Sequence, residues 1–153
     1  MSKSVMTNDG ELILDSHKLS YHMDRVNAWK AGERIAPVTV DMALTRACGS
    51  MCKFCYAMMQ EPQKRHGIKI HHALNLLDDF AEVGVRGVSL VSDGESTLSK
   101  AYVPFVQHAA KVGINVGNAT NAWEWGPEKS EQVLPHMSWI RFTVAAGTPE
   151  KYA

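Results

Sequence analysis

From residue 37 onward, short apolar runs alternate with longer segments of helical period at about thirty residues per repeat. This rhythm is the strongest constraint on the fold. Strands separated by a helix cannot be joined by a tight hairpin, so they pair in parallel through right-handed crossovers. The expected strands are residues 37–44, 87–91, 114–119 and 139–144. Between the first two, Ile70, Ala73, Leu74, Leu77, Phe80 and Ala81 fall on one helical face, with Gly84 as the stop. A second helix is expected over about 100–112, where Val103, Val106, Ala109, Ala110 and Val112 are apolar and Pro104 falls in the first turn. A short third begins at Gly126-Pro127-Glu128, and a fresh start capped by Thr148 follows the last strand. The class is α/β, with every turn of chemical interest at a strand's carboxyl end, on one rim of a partial TIM-like barrel.

The first such turn, Cys48-Gly49-Ser50-Met51-Cys52-Lys53-Phe54-Cys55-Tyr56, carries every cysteine in the chain. Three thiolates spaced C-x3-C-x2-C can converge from one loop on one inorganic centre, and no fourth cysteine exists to close the site. Three thiolate ligands leave one metal position of a four-iron cluster open to a small molecule. A zinc knuckle is the alternative, with His66 as a possible fourth ligand, although this spacing is unusual for zinc.

At the end of the second strand, Ser92-Asp93-Gly94-Glu95-Ser96-Thr97 places a glycine between acids. Such a turn allows close backbone approach to a ligand and suits a cationic amino group. The third strand ends in Thr120-Asn121-Ala122, and Trp123 and Trp125 follow. These indoles either stack on a ligand or pack beneath the loop. His71 and His72 are adjacent and point about a hundred degrees apart, which makes them surface or packing residues rather than joint ligands. Residues 17–22 read as surface, and Arg25, Val26, Trp29, Lys30 and Ala31 as a short helix.

The spacing of Cys48, Cys52 and Cys55, with Phe54 just before the last cysteine and Tyr56 just after it, resembles the radical S-adenosylmethionine (radical SAM) superfamily. Asp93-Gly94-Glu95-Ser96 resembles the family's Gly-Gly-Glu-Pro signature but departs from it at Asp93 and Ser96, and Thr120-Asn121-Ala122 resembles its Thr-Asn-Gly. The resemblance implies a (βα)6 core of which four strands are present. Residues 1–36 are then a lead-in and 37–153 a partial core domain, the amino-terminal part of a truncated or split protein whose fourth strand has an unpaired edge.

It further implies that Cys48, Cys52 and Cys55 hold a 4Fe-4S cluster whose fourth iron is chelated by S-adenosylmethionine, and that an electron from the cluster releases a 5'-deoxyadenosyl radical. Phe54 or Tyr56 would lie near the adenine, and Asp93, Gly94 and Glu95 near the methionyl amino group. Thr120, Asn121 and Thr143 would meet the carboxylate or ribose. An electron donor is implied as partner, with a peptide or small molecule as substrate. Two readings without catalysis stay open: an iron–sulfur or electron-transfer module, and an inactive piece of a split assembly.

Sixteen basic and sixteen acidic residues balance, so no global field steers the chain to DNA or to anionic lipid. No apolar stretch reaches the length of a membrane span, and the first residues lack a signal peptide's apolar core. Three clustered, oxidisable thiols suit a reducing compartment, the cytoplasm.

Overall fold

The computed structural model describes residues 5–6, 12–13, 19–50, 52–56, 66–91 and 93–152. Two short strands, β1 (Val5–Met6) and β2 (Leu12–Ile13), pair antiparallel near the amino terminus. The main sheet holds β3 (Thr39–Asp41), β4 (Gly87–Leu90), β5 (Asn115–Thr120) and β6 (Trp139–Phe142), all parallel, in the order β3-β4-β5-β6. Strand order follows chain order without reversal. Right-handed crossovers then keep the intervening helices on one face, as in a barrel and unlike a doubly wound sheet.

The helices are α1 (Met23–Lys30), α2 (Ile70–Glu82), α3 (Tyr102–Lys111), α4 (Pro127–Val133) and the short α5 (Pro149–Tyr152). Helix α3 buries Tyr102, Phe105, Val106 and Ala109, one apolar stripe at helical spacing. Ala73 and Leu77 of α2 and Val133 of α4 join it over Val88, Leu90 and Val116 of the sheet. Val40, Val88 and Val116 stand in register across three strands. Both α2 and α3 close with paired hydrogen bonds that satisfy their last carbonyls: Val85 N to Phe80 O and Gly84 N to Ala81 O, then Ile114 N to Ala109 O and Gly113 N to Ala110 O. Arg25 ties α1 to the core by donating to the carbonyls of Ala36, Pro37 and Gly84. Trp139 lies flat over Gly117, where any Cβ would collide with the indole.

The first strand is shorter than the expected 37–44, and the last ends at Phe142 rather than 144. In both cases one further ladder-like bond follows before the chain turns out of the sheet: Met42 N to Ser89 O and Thr143 N to Thr120 O. Leu44 then turns inward and is fully buried. The expected surface character of residues 17–22 holds at Leu19, Ser20 and Tyr21, while His22 is half-buried. Residues 17, 18 and 60–65, together with Met51 and Ser92, lie outside the described residues. His71 and His72 are both exposed on α2. Among the described residues, no helix is long and apolar enough to cross a membrane.

One polar cluster sits inside this core. Asn118 Nδ2 donates to the Tyr102 hydroxyl at 3.1 Å, and that hydroxyl in turn reaches Met137 Sδ. Burial pushes the Tyr102 phenol above its ordinary range; the Asn118 bond opposes this and the nearby Glu95 carboxylate adds to it. A phenol held neutral in the fold but free to ionise when unfolded stabilises the protein fully below about pH 10, and that contribution is lost as pH rises further. Thermal midpoints taken from pH 8 to 11 should fall above pH 10 in the unaltered chain, and less steeply in Tyr102→Phe.

Candidate functional site

The loop after β3 is fixed at its base before it reaches the cysteines. Ile68 N donates to Leu44 O and Arg46 N to His66 O, both at 2.9 Å, while Thr45 Oγ1 accepts from Ala47 N at 3.1 Å. From the other side, Glu95 N donates to Ala47 O at 2.8 Å. That approach requires Gly94, whose φ is 73°: a Cβ there would collide with Thr45 O and lie 2.8 Å from Arg46 Cα. The loops after β3 and β4 therefore share one interface.

Cys48, Cys52 and Cys55 are free and partly buried on this rim. Cys48 Sγ accepts from Ser50 N at 3.4 Å and from Asn121 Nδ2 at 3.6 Å. Cys52 O accepts from Cys55 N at 3.0 Å. Phe54 and Tyr56 are both mostly exposed. A cavity of about 600 Å3 opens beside the loop, and Cys52, Phe54, Asn121 and Thr143 line it with Ser50 and Trp123.

Glu95 is 4 % exposed. Its Oε1 accepts from Thr97 N (3.3 Å), Thr97 Oγ1 (2.8 Å) and Thr120 Oγ1 (2.9 Å), and its Oε2 from Asn121 N (2.8 Å). Both oxygens are thus engaged within the protein, as a buried carboxylate requires. Asp93 is half-buried and pairs with Arg46 at 3.7 Å. The residues proposed from sequence for the rim therefore divide into cavity-facing (Cys52, Phe54, Asn121, Thr143) and supporting (Gly94, Glu95, Thr120).

The two indoles play different parts. Trp123 is exposed and lines the cavity, whereas Trp125 packs edge-on against Tyr102 and Phe142 beneath the loop. Ser50 and Thr97 received no role from sequence. The only local signal for Thr97 was a hydroxyl two residues after an acid, a common local hydrogen-bonding pattern. Ala122 holds a left-handed φ of 64° with its N–H donating to Thr120 Oγ1 at 3.0 Å. This is where the related motif carries glycine, which adopts such a backbone freely.

The donor set suits an iron–sulfur centre: three free thiols, all from one loop, none engaged in a disulfide. Among the described residues, no three His, Cys, Asp or Glu side chains are gathered closely enough to hold an ion as they stand. Metal binding of this kind draws its loop in, coupling ligation to local ordering.

A parallel βα sheet with a three-cysteine loop and a cavity on its carboxyl rim puts the candidate site where barrel-type folds carry theirs. No family model matches the sequence. The sporulation killing factor maturation protein SkfB of Bacillus subtilis is 29 % identical over 101 residues, 66 % of this chain and 24 % of its own length. An S-adenosylmethionine-dependent nucleotide dehydratase of Flammeovirga pacifica is 26 % identical over 124 residues, 78 % of this chain and 42 % of its own. The chain therefore spans between a quarter and under half of the curated relatives it matches.

Among solved structures, BtrN in complex with AdoMet and 2-DOIA superposes with a TM-score of 0.62 at 14 % identity, covering 72 % of this chain and 47 % of BtrN. Streptococcus suis SuiB bound to precursor peptide SuiA gives 0.61 at 17 %, covering 87 % of this chain and 30 % of SuiB. These likenesses establish the fold as part of a TIM-like barrel. The two curated relatives and the shared fold agree with the resemblance to the radical SAM superfamily read from the cysteine loop. One of these relatives is S-adenosylmethionine-dependent by name and BtrN is seen with AdoMet, which fits the cofactors that the resemblance implies, S-adenosylmethionine and a 4Fe-4S cluster.

Two substitutions on this rim should move stability in opposite directions. Gly94→Ala should lower the unfolding free energy by about 1–3 kcal/mol from the left-handed backbone alone, with the clash against Thr45 and Arg46 adding to it. Ala122→Gly should raise it by roughly 0.5–1 kcal/mol by relieving the same backbone region. Urea unfolding of the two variants against the unaltered chain checks both signs.

Proposed function

We propose that the chain carries the cofactor-binding part of a radical SAM enzyme, with Cys48, Cys52 and Cys55 holding the 4Fe-4S cluster. The observation that carries this reading is the placement of three free cysteines in the loop that follows β3, with Cys52 lining a cavity that Asn121 and Thr143 also line. When bound, the cluster and S-adenosylmethionine supply a 5'-deoxyadenosyl radical that takes a hydrogen atom from substrate. The protein's own part is to bind, orient and exclude water.

The cavity is within the usual range for a small-molecule site. Phe54 or Tyr56 lies toward the adenine, and the turn of Asp93, Gly94 and Glu95 lies toward the methionyl amino group. Thr120, Asn121 and Thr143 serve the carboxylate or the ribose. Residues 37–153 form a partial core domain, and residues 1–36 form its lead-in.

For the substrate, a peptide or a small molecule fits best. SkfB is a maturation protein and SuiB is seen with its precursor peptide, while BtrN is seen with 2-DOIA and the second curated relative acts on a nucleotide. An electron-donor protein completes the system, in the cytoplasm where reduced thiols persist.

Anaerobic reconstitution with iron and sulfide should give the visible absorbance of a 4Fe-4S cluster, lost on replacing any one of Cys48, Cys52 or Cys55 with alanine. Adding reductant and S-adenosylmethionine should release 5'-deoxyadenosine, detected by chromatography. A chain that takes up no cluster refutes the proposal. A cluster that never cleaves the cofactor reduces it to a binding module.

A further inference from the structure

Both oxygens of Glu95 accept hydrogen bonds from within the protein, four in all. Its Oε2 accepts from the backbone N–H of Asn121 at 2.8 Å, while Oε1 gathers Thr97 and Thr120. Asn121 is thereby fixed at its main chain. Its side chain is fixed as well: Oδ1 accepts from Trp123 N at 3.1 Å. A backbone N–H can only donate, so the amide oxygen must face Trp123 and the amide NH2 must face the cysteine loop. There it donates to Ser50 Oγ at 3.0 Å and lies 3.6 Å from Cys48 Sγ.

We infer that Glu95 and Asn121 form a positioning relay: the buried carboxylate sets the place of Asn121, and its amide donates to the Cys48 sulfur, raising the reduction potential of the cluster that Cys48 ligates. The inference rests on the cluster assignment made above and assigns to the Glu95 side chain a role through Asn121, beside the place its turn takes toward the cofactor. The physical reason is electrostatic. A hydrogen bond to a ligating sulfur favours the state with more negative charge on it, which is the reduced cluster.

The chain of contacts crosses three segments: the turn after β4, the end of β5 and the cysteine loop. It therefore couples a residue distant from the sulfur to the sulfur's environment. Ser50, bonded both through its N–H to Cys48 Sγ and through its hydroxyl to Asn121, closes the ring.

The test is the midpoint potential of the reconstituted cluster without S-adenosylmethionine, followed by electron paramagnetic resonance during a redox titration of the chain. Asn121→Ala should shift the potential negative. Glu95→Gln puts an NH2 where an acceptor stood and should shift it in the same direction. The double variant should shift no further than Asn121→Ala alone, because one residue acts through the other.

If Glu95→Gln does not fold by circular dichroism, Thr97→Val, which removes one hydroxyl donor from the same carboxylate, should give a smaller negative shift. Potentials unmoved in these variants, or shifts that simply add, would overturn the relay while leaving the cluster assignment intact. Absence of any cluster signal from the unaltered chain would instead overturn the functional reading and the relay with it.

Discussion

The rim depends on a close contact between two loops. Gly94 comes so near the backbone of Thr45 and Arg46 that no side chain fits between them, and the hydrogen bond from Glu95 N to Ala47 O lies directly beside it. Each loop alone would be a surface connection with ordinary freedom. Pressed together, they give the cysteine segment a rigid footing one residue before Cys48. The carboxylate of Glu95 extends that footing to the end of β5, so three successive strand ends are held as one unit. Because every bond of this carboxylate is made to a backbone or hydroxyl donor, its burial is fully compensated.

Helix positions and strand order were legible in the sequence because both follow from periodicity. Helix α2 begins at Ile70 and ends just before Gly84, and α3 lies where expected, but of the apolar residues read there only Val106 and Ala109 are buried: the face turns to Tyr102 and Phe105, leaving Ala110 exposed. Strand lengths were less legible at their carboxyl ends. Val38 to Leu44 is apolar enough to read as one run, but Leu44 serves the core from outside the ladder, a distinction that hydrophobic pattern does not encode.

For the site, the sequence revealed which residues gather but not what each does there. The acid-glycine-acid turn suggested ligand contacts for both acids. The structure adds what the turn does within the protein: Asp93 pairs with Arg46 and Glu95 holds a buried network. Such long-range partners are invisible in sequence, since Glu95 and Asn121 meet only after β5 has docked beside β4. The same limit explains the two indoles: Trp123 and Trp125 are two residues apart and chemically alike, and only the packing of Tyr102 and Phe142 tells them apart.

The divergence of those indoles has an optical consequence. Trp125 and Trp139 are held against the protein's own rings and backbone, and exposed Trp29 stands on α1, tied through Arg25 to the amino-terminal ends of the strands. Trp123 alone among the four forms part of the cavity wall. Emission from this chain therefore contains one fluorophore set against the cavity itself, over a background from three that do not line it, so a molecule filling that space would be reported by Trp123.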